Sequence, residues 1–260
     1  EPVKLGDMPR GSGRATFIRR LLTNPATAAP AELYDTKVFS PKFAAGKLVY
    51  VADAALIETI FVDRPDDFPK GSIDQRILRP IFNDGLLLAE GGDWRWKRRL
   101  TAPVFSPAAM KRFLPDIVAP FAATADAFLG ASDRPADASD AMKSATLQVI
   151  DRLLFGGERE IDPDAIMTHV EDYLAPTPWM VAYALFGVPQ GMPFPGHKRQ
   201  SRARFAARDM LDRFVKKRRA GDRSRDDLTN RLLAASDSET GRGLSDDDMV
   251  DMLLTLQPMR

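Results

Sequence analysis

Two side chains four residues apart, Trp94 and Arg98, form the pair in this sequence best suited to hold an anion. They lie in a short cationic stretch that begins at Asp93 and ends at Pro103. In a helix this spacing puts both on one face, with Cβ atoms about 5–6 Å apart. The indole donates one N–H, and the guanidinium donates from a rigid fork that matches a carboxylate. From the spacing alone, an amphipathic helix with one core tryptophan and a solvated basic face is the simpler interpretation.

The helices that must position such residues are predicted from the periodicity of apolar residues after position 92. Proline and glycine residues mark the breaks between them, and Pro115 is one such break. Ser245, with Asp248 three residues later, predicts a helix start of the capping-box type. Proline in a helix interior costs about 3 kcal/mol, so Pro258 predicts that this last helix ends near Leu256. The predicted helices are 93–102, 107–114, 116–131, 138–155, 163–175, 178–186, 197–219, 226–235 and 245–256.

A small β-hairpin is predicted nearer the N-terminus. Strand-forming residues occupy 37–43 and 47–52, and a tight turn at Gly46 would join the two stretches. Asp53 then caps a short helix over 54–62, because its carboxylate can accept from the first backbone N–H groups. The expected fold class is therefore mainly α with a small N-terminal β-sheet.

The chain shows no repeat and no clear linker, so one domain is expected over 1–260. Within it, residues 1–29 are predicted to be a loosely docked lead-in. Residues 30–75 would form a small β-rich part with short helices, and 76–260 a helical body. The stretch 66–92 is predicted to be rich in loops.

Composition excludes several kinds of chemistry. The chain has no cysteine and only two histidines, His169 and His197, so it offers no disulfide, thiolate zinc site or cysteine nucleophile. A net charge of +1 gives no overall attraction to nucleic acid or membranes. The longest apolar run, Trp179–Val188, is far shorter than the roughly 20 residues that span a bilayer. The first residues lack the pattern of a signal peptide, and a cytoplasmic protein is expected.

A basic stretch from Lys198 to Arg225 contains twelve Lys or Arg residues against three Asp. Phosphate neutralisation drives nucleic-acid binding, and such a helix has the charge for it. However, Ala207, Leu211 and Phe214 recur at helical spacing, so a packed helix with a solvated basic face is the simpler interpretation. A non-catalytic helical module that binds partners through 197–225 remains the alternative function.

The order of several motifs resembles the N-terminal part of a bacterial-type cytochrome P450, a haem-thiolate monooxygenase. The sequence Trp94-x-x-x-Arg98-Arg99, followed by Pro103-x-Phe105, resembles the tryptophan-arginine motif on the third helix of that family. Three further regions are similar, and the similarity as a whole covers nearly all of residues 30–256. These regions are 53–68, 84–87, and the approach to the last helix at 226–228, 239–241 and 244–256.

The resemblance implies an incomplete cytochrome P450 fold and a haem-dependent monooxygenase that inserts one oxygen atom from O2 into an apolar organic substrate. It implies that Trp94 and Arg98 hold a propionate of the haem, whose iron is the metal of the intact protein. It also implies that Leu87 lines the substrate pocket.

The resemblance further implies an acidic electron-donor protein, which could be a ferredoxin, a flavodoxin or a reductase. The cationic side chains of Arg95, Lys97 and Arg99 would receive it, since charge complementarity speeds such encounters. Plain solvation of these three side chains is the alternative.

The sequence departs from the family after Leu256, where it reads Gln257-Pro258-Met259-Arg260. The oxygen-activating threonine, the glutamate-arginine pair and the cysteine loop of the family are missing. The thiolate supplies the electron density that cleaves the O–O bond, so this truncated chain is expected to be inactive and to hold haem weakly or not at all. Five apolar side chains are then expected to be unusually exposed: Leu86, Leu87, Leu88, Met252 and Leu256.

Overall fold

The computed structural model describes residues 8–42, 48–130, 137–157, 161–189, 191–221 and 226–256, and it is mainly helical. The strands are β1 (Val38–Phe39) and β2 (Tyr50–Val51). The helices are α1 (Arg14–Thr23), α2 (Ala54–Glu58), α3 (Ser72–Phe82), α4 (Gly91–Thr101), α5 (Pro107–Gly130), α6 (Ala138–Ile150), α7 (Pro163–Leu174), α8 (Thr177–Leu185), α9 (His197–Ala220), α10 (Leu228–Ala234) and α11 (Asp246–Thr255).

The described residues divide into two compact units. The first consists of residues up to Leu78 together with 174–200, and the second of 79–173 together with 201–256. That the whole chain is one domain stays a prediction.

The first unit has its own apolar core, in which α1 packs against α8. Phe17 and Leu21 of α1 are buried beside Ala182 and Leu185 of α8. The prediction that this stretch is a loosely docked lead-in is therefore wrong. The two apolar residues are one turn apart and form only a narrow stripe in a basic helix, which made the pattern easy to miss.

The predicted pairing of the two N-terminal strands is confirmed. β1 and β2 are antiparallel, with Val38 opposite Val51 and Phe39 opposite Tyr50. The predicted turn at Gly46 lies outside the described residues. Asp53 caps α2 as expected, because its carboxylate accepts from the backbone N–H of Leu56 at 3.1 Å.

The second unit holds most of the helical body. Its α11 begins with the predicted capping box, in which Ser245 and Asp248 each accept from the other's backbone N–H. This helix ends at Thr255, with Leu256 as its C-cap. Both ends therefore match the prediction, and residues 257–260 lie outside the described part.

Two predictions about where helices lie are wrong. α5 continues through Pro115 and Pro120, although a break was expected at the first. Each proline removes one backbone hydrogen bond, and the packing of α5 against α6 helps to offset that loss. α3 forms in the stretch predicted to be loops, with Pro80 near its C-terminal end. The burial of Ile81 and Phe82 stabilises that last turn.

By length and composition alone, α5 is the one helix in the described part of the chain that is apolar enough to cross a bilayer. Charged residues interrupt the apolar run of α5 in the sequence. Single helices of soluble proteins pass the same test, so this finding does not make the chain a membrane protein.

Candidate functional site

α4 carries the predicted anion-binding pair at its surface. Trp94 is 40% exposed, and Arg98, one turn further along the same side, is also exposed. Among the described residues, no carboxylate pairs with the Arg98 guanidinium. An exposed tryptophan beside an arginine with no internal counter-ion suits an anionic group that comes from outside this part of the chain.

Lys97 lies on the neighbouring, buried side of α4, and its side chain is only 4% exposed. Its ammonium Nζ pairs with Asp93 at 2.9 Å and with Asp248 at 3.3 Å, and it donates to the backbone carbonyl of Asp84 at 2.5 Å. The prediction that Lys97 belongs to an exposed cationic cluster is therefore wrong. An ammonium with three oxygen partners can be buried, and sequence spacing alone does not show those partners.

Arg99 is partly exposed and already engaged. It pairs with Glu239 at 3.0 Å and with Asp237, a buried carboxylate, at 3.2 Å. The hydrogen bond from Arg99, followed by that from Thr240, holds the pKa of Asp237 below its usual range. Of the three predicted partner-binding residues, Arg95 is exposed and Arg99 presents its outer part. Docking of a donor at these two residues stays a prediction.

The segment 83–88, which contains Leu87, joins α3 to the stretch before α4. It packs closely against α11, because a Cβ added to Gly85 would lie 2.8 Å from Thr255 Oγ1 and 2.9 Å from the Asp251 carbonyl. Asn83 opens the segment with a positive φ of 42°. Leu87 itself is half-buried, and its contact with substrate stays a prediction.

Five apolar side chains were expected to be unusually exposed, and none of them is classed as exposed. Leu88 and Met252 are buried, while Leu86, Leu87 and Leu256 are half-buried. The two of these residues that belong to α11 and its C-cap, Met252 and Leu256, are therefore covered within the second unit.

A buried polar network that the sequence did not indicate holds the start of the same segment. Arg208 of α9 donates to the Ile81 carbonyl at 2.7 Å and to Asp251 at 2.6 Å. The amide of Asn83 also donates to Asp251, at 3.3 Å. Burial raises the pKa of Asp251, although the hydrogen bond and charge of Arg208 oppose this rise.

Part of the basic stretch on α9 is engaged in ion pairs. Arg218 is buried and pairs with Asp227 at 2.9 Å, and Arg219 pairs with Asp246. Lys216 pairs with a carboxylate one turn away on α9. A buried, paired cation such as Arg218 is not available to a phosphate, and nothing in the described part of this stretch, 197–221, favours a nucleic-acid or partner-binding role.

In the described residues no group of three or more His, Asp or Glu side chains could hold a metal ion, and the whole sequence lacks cysteine. His169 is half-buried, and His197 is exposed beside the ring of Phe194. The residues present fit the carboxylate edge of a haem at Trp94 and Arg98, but they do not supply a thiolate to its iron.

The sequence is similar to those of known proteins. Residues 30–257 match the cytochrome P450 family. The chain is 30% identical over 199 residues to cyclooctat-9-en-7-ol 5-monooxygenase of Streptomyces melanosporofaciens, an alignment that covers 74% of this chain and 41% of that protein. It is 27% identical to cyclooctatin synthase of the same organism, covering 68% of this chain and 39% of that protein.

The fold is also similar to that of solved proteins. The crystal structure of the cytochrome P450DA haem domain superimposes with a TM-score of 0.69 at 18% identity, covering 94% of this chain and 52% of that one. The chain belongs to the cytochrome P450 family, and it spans about two fifths of the length of the two Streptomyces relatives.

Proposed function

We propose that this chain is part of a haem-thiolate monooxygenase that inserts one oxygen atom of O2 into an apolar organic substrate. The observation that carries the proposal is the exposed pair Trp94 and Arg98 on α4, in a chain that matches the cytochrome P450 family over residues 30–257. Two curated relatives are named as a monooxygenase and a synthase, and the first of these names supports the reaction class.

Trp94 and Arg98 would hold a haem propionate. The guanidinium offers a planar fork of donors, and a charge-assisted bond to a carboxylate is about twice as strong as a neutral one. When bound, the haem supplies the iron centre at which O2 is activated. The thiolate ligand must come from residues beyond these 260, because the sequence has no cysteine. The 260 residues alone are then inactive.

Leu87 would form part of an apolar wall against the substrate. Its segment is fixed at one end by the bond from Asn83 to Asp251, and at Gly85 by close packing on α11. A leucine held on a fixed backbone excludes water and orients an apolar molecule by shape. The substrate class is therefore proposed to be apolar.

Arg95, together with the outer part of Arg99, would meet an acidic electron donor such as a ferredoxin, a flavodoxin or a reductase. Rim charges of this kind act mainly on the rate of encounter, and salt screens them. Lys97 takes no part, because it is buried. A cytoplasmic location would suit such a soluble donor.

The absorption of the reduced carbon monoxide complex tests this proposal. We expect the 260-residue chain to give no thiolate-type absorption band, and a chain extended by the coding sequence that follows Arg260 to give one. Loss of haem from the extended chain to an acceptor protein then measures the hold on the propionate. An extended chain that binds no haem, or that binds it without thiolate character, would rule out the proposed reaction.

A further inference from the structure

The buried ammonium of Lys97 joins three separate parts of the second unit. Its partners are the carboxylate of Asp93 on its own helix, the carboxylate of Asp248 on α11 and the backbone carbonyl of Asp84 in the segment 83–88. An ammonium has exactly three N–H donors, so these three oxygens can satisfy it completely.

The charge of Lys97 is stabilised in place. Burial lowers the pKa of the ammonium, but the hydrogen bond to Asp93 and the charges of Asp248 and Asp93 outweigh this effect, so the pKa is raised above its ordinary value. A lysine that stays protonated keeps all three donors. Its hold on the Asp84 carbonyl therefore persists throughout the neutral pH range.

The bond from Lys97 to the Asp84 carbonyl connects α4 to the segment that contains Leu87. The rest of the segment forms a turn that is closed by local backbone hydrogen bonds. The N–H groups of Leu88 and Ala89 both donate to the Gly85 carbonyl, at 2.9 and 2.8 Å. A short turn held by such bonds moves as one piece. Fixing the Asp84 carbonyl consequently fixes where Leu87 lies relative to α4.

We infer that Lys97 is a positioning residue that sets the segment 83–88, and with it Leu87, at a constant place against α4 and α11. The consequence for substrate rests on the proposed function, in which Leu87 lines the pocket and α4 holds the haem. Lys97 then determines how the apolar substrate is oriented without touching it. Its role is separate from haem binding, because Trp94 and Arg98 occupy the exposed side of the same helix.

Hydrogen exchange of the 260-residue chain tests the positioning role without haem or substrate. Lys97→Met keeps most of the side-chain volume and removes the charge and the donors. In the wild type, local opening of the segment must break the bond from Lys97 to Asp84, and in the variant this bond is absent. We therefore expect the amides of Leu88 and Ala89 to exchange on the order of 10-fold faster or more. Amides in α10, such as that of Leu232, should keep their exchange rates. Lys143→Met, at a partly exposed lysine on α6, is the matched control and should change neither set.

Lys97→Arg is a second variant that distinguishes loss of the positioning bond from a general disturbance of the fold. It keeps the charge between the two carboxylates, so it should retain more protection of Leu88 and Ala89 than Lys97→Met does. Equal loss in both variants, equal acceleration in α10, or no acceleration at all would each overturn the positioning role.

The consequence for substrate is measured separately in the haem-loaded, extended chain. Lys97→Met should change the ratio of oxidation products while haem is lost at the wild-type rate. If exchange responds as expected but the product ratio does not, the positioning of the segment stands and the assignment of Leu87 to the substrate pocket falls.

Discussion

Arg99 donates from Nε and Nη2 to the two carboxylate oxygens of Asp237, at 3.2 and 3.4 Å, across 138 positions of sequence. Thr240 adds a third bond to the same carboxylate at 2.8 Å. The pair connects the last turn of α4 to the stretch that leads into α11. A carboxylate that is almost completely buried depends on these donors, because burial of an unpaired charge is costly.

The Asp237 carboxylate predicts an acid-sensitive contribution to stability. Its pKa is lowered, first by the hydrogen bond from Arg99 and then by that from Thr240. A carboxyl with a depressed folded pKa stabilises the fold fully above its unfolded pKa of about 3.9, and this stabilisation is lost as the pH falls through the folded pKa. We expect Asp237→Asn to melt several degrees below the wild type at pH 7 and to approach it below about pH 3.9. Melting curves of both proteins recorded from pH 7 to pH 3 measure the difference in melting temperature. A difference that stays constant with pH would contradict the prediction.

Arg98 predicts the strength of haem retention in the extended, haem-loaded chain. Arg98→Ala removes a charge-assisted hydrogen bond of about 1.5–3 kcal/mol, so haem affinity should fall roughly 10- to 150-fold. Arg98→Lys should recover only part, because an ammonium lacks the planar fork. Transfer of haem to an acceptor protein measures the loss.

The matched control for Arg98 is Arg99→Ala on the same helix. Arg99 lies about 100° further around α4 and is engaged with Asp237 and Glu239. Its loss should lower the melting temperature but leave haem transfer unchanged. Equal haem loss from both variants would mean that the propionate face of α4 has been wrongly assigned.

Replacing Gly85 with alanine should lower the free energy of unfolding for steric reasons alone. A Cβ at this position would lie 2.8 Å from Thr255 Oγ1, 2.9 Å from the Asp251 carbonyl and 3.0 Å from the Phe82 carbonyl. Two of these atoms belong to the backbone and cannot turn away. Gly85→Ala should therefore cost about 1–3 kcal/mol of unfolding free energy, the usual range for overpacking.

Gly92→Ala is the control for Gly85, since an added Cβ there meets nothing within 4 Å. Gly92 lies in α4, and alanine in a helix is more stable than glycine by about 0.5–1 kcal/mol. Urea denaturation of both variants should thus show opposite signs. A Gly85→Ala variant as stable as the wild type would mean that the segment 83–88 packs less closely on α11 than the distances indicate.

The buried pair of Arg218 and Asp227 predicts a strongly non-additive double substitution. Both side chains are 4% exposed and are 2.9 Å apart, and Asp227 also caps α10 through the N–H of Asn230. Arg218→Met leaves a buried carboxylate without its cation, which should cost about 3–5 kcal/mol. Adding Asp227→Asn removes that charge and keeps a good cap, so the double variant should be more stable than Arg218→Met alone. Urea denaturation of the two single variants and the double variant checks this, and simple additivity would refute it.

Features that depend on neighbouring residues were determined by the sequence itself. Ser245 and Asp248 predicted the start of α11, and Asp53 predicted the cap of α2, because both kinds of cap are bonds within four residues. The shared face of Trp94 and Arg98 follows from helical geometry in the same way. These local rules, together with the order of the motifs, were enough to predict a mainly helical cytochrome P450 fold.

Burial and partner choice were decided only by the tertiary structure. Nothing in the spacing of Arg95, Lys97 and Arg99 distinguishes them, yet Lys97 is buried because Asp248, 151 positions away, lies against it. The helix α1, predicted to be a loose lead-in, forms a core because Leu185 comes to lie beside Leu21. Helix caps and periodicity are local and therefore visible in the sequence, whereas the free energy of burying a charge depends on which distant oxygens surround it in the folded chain.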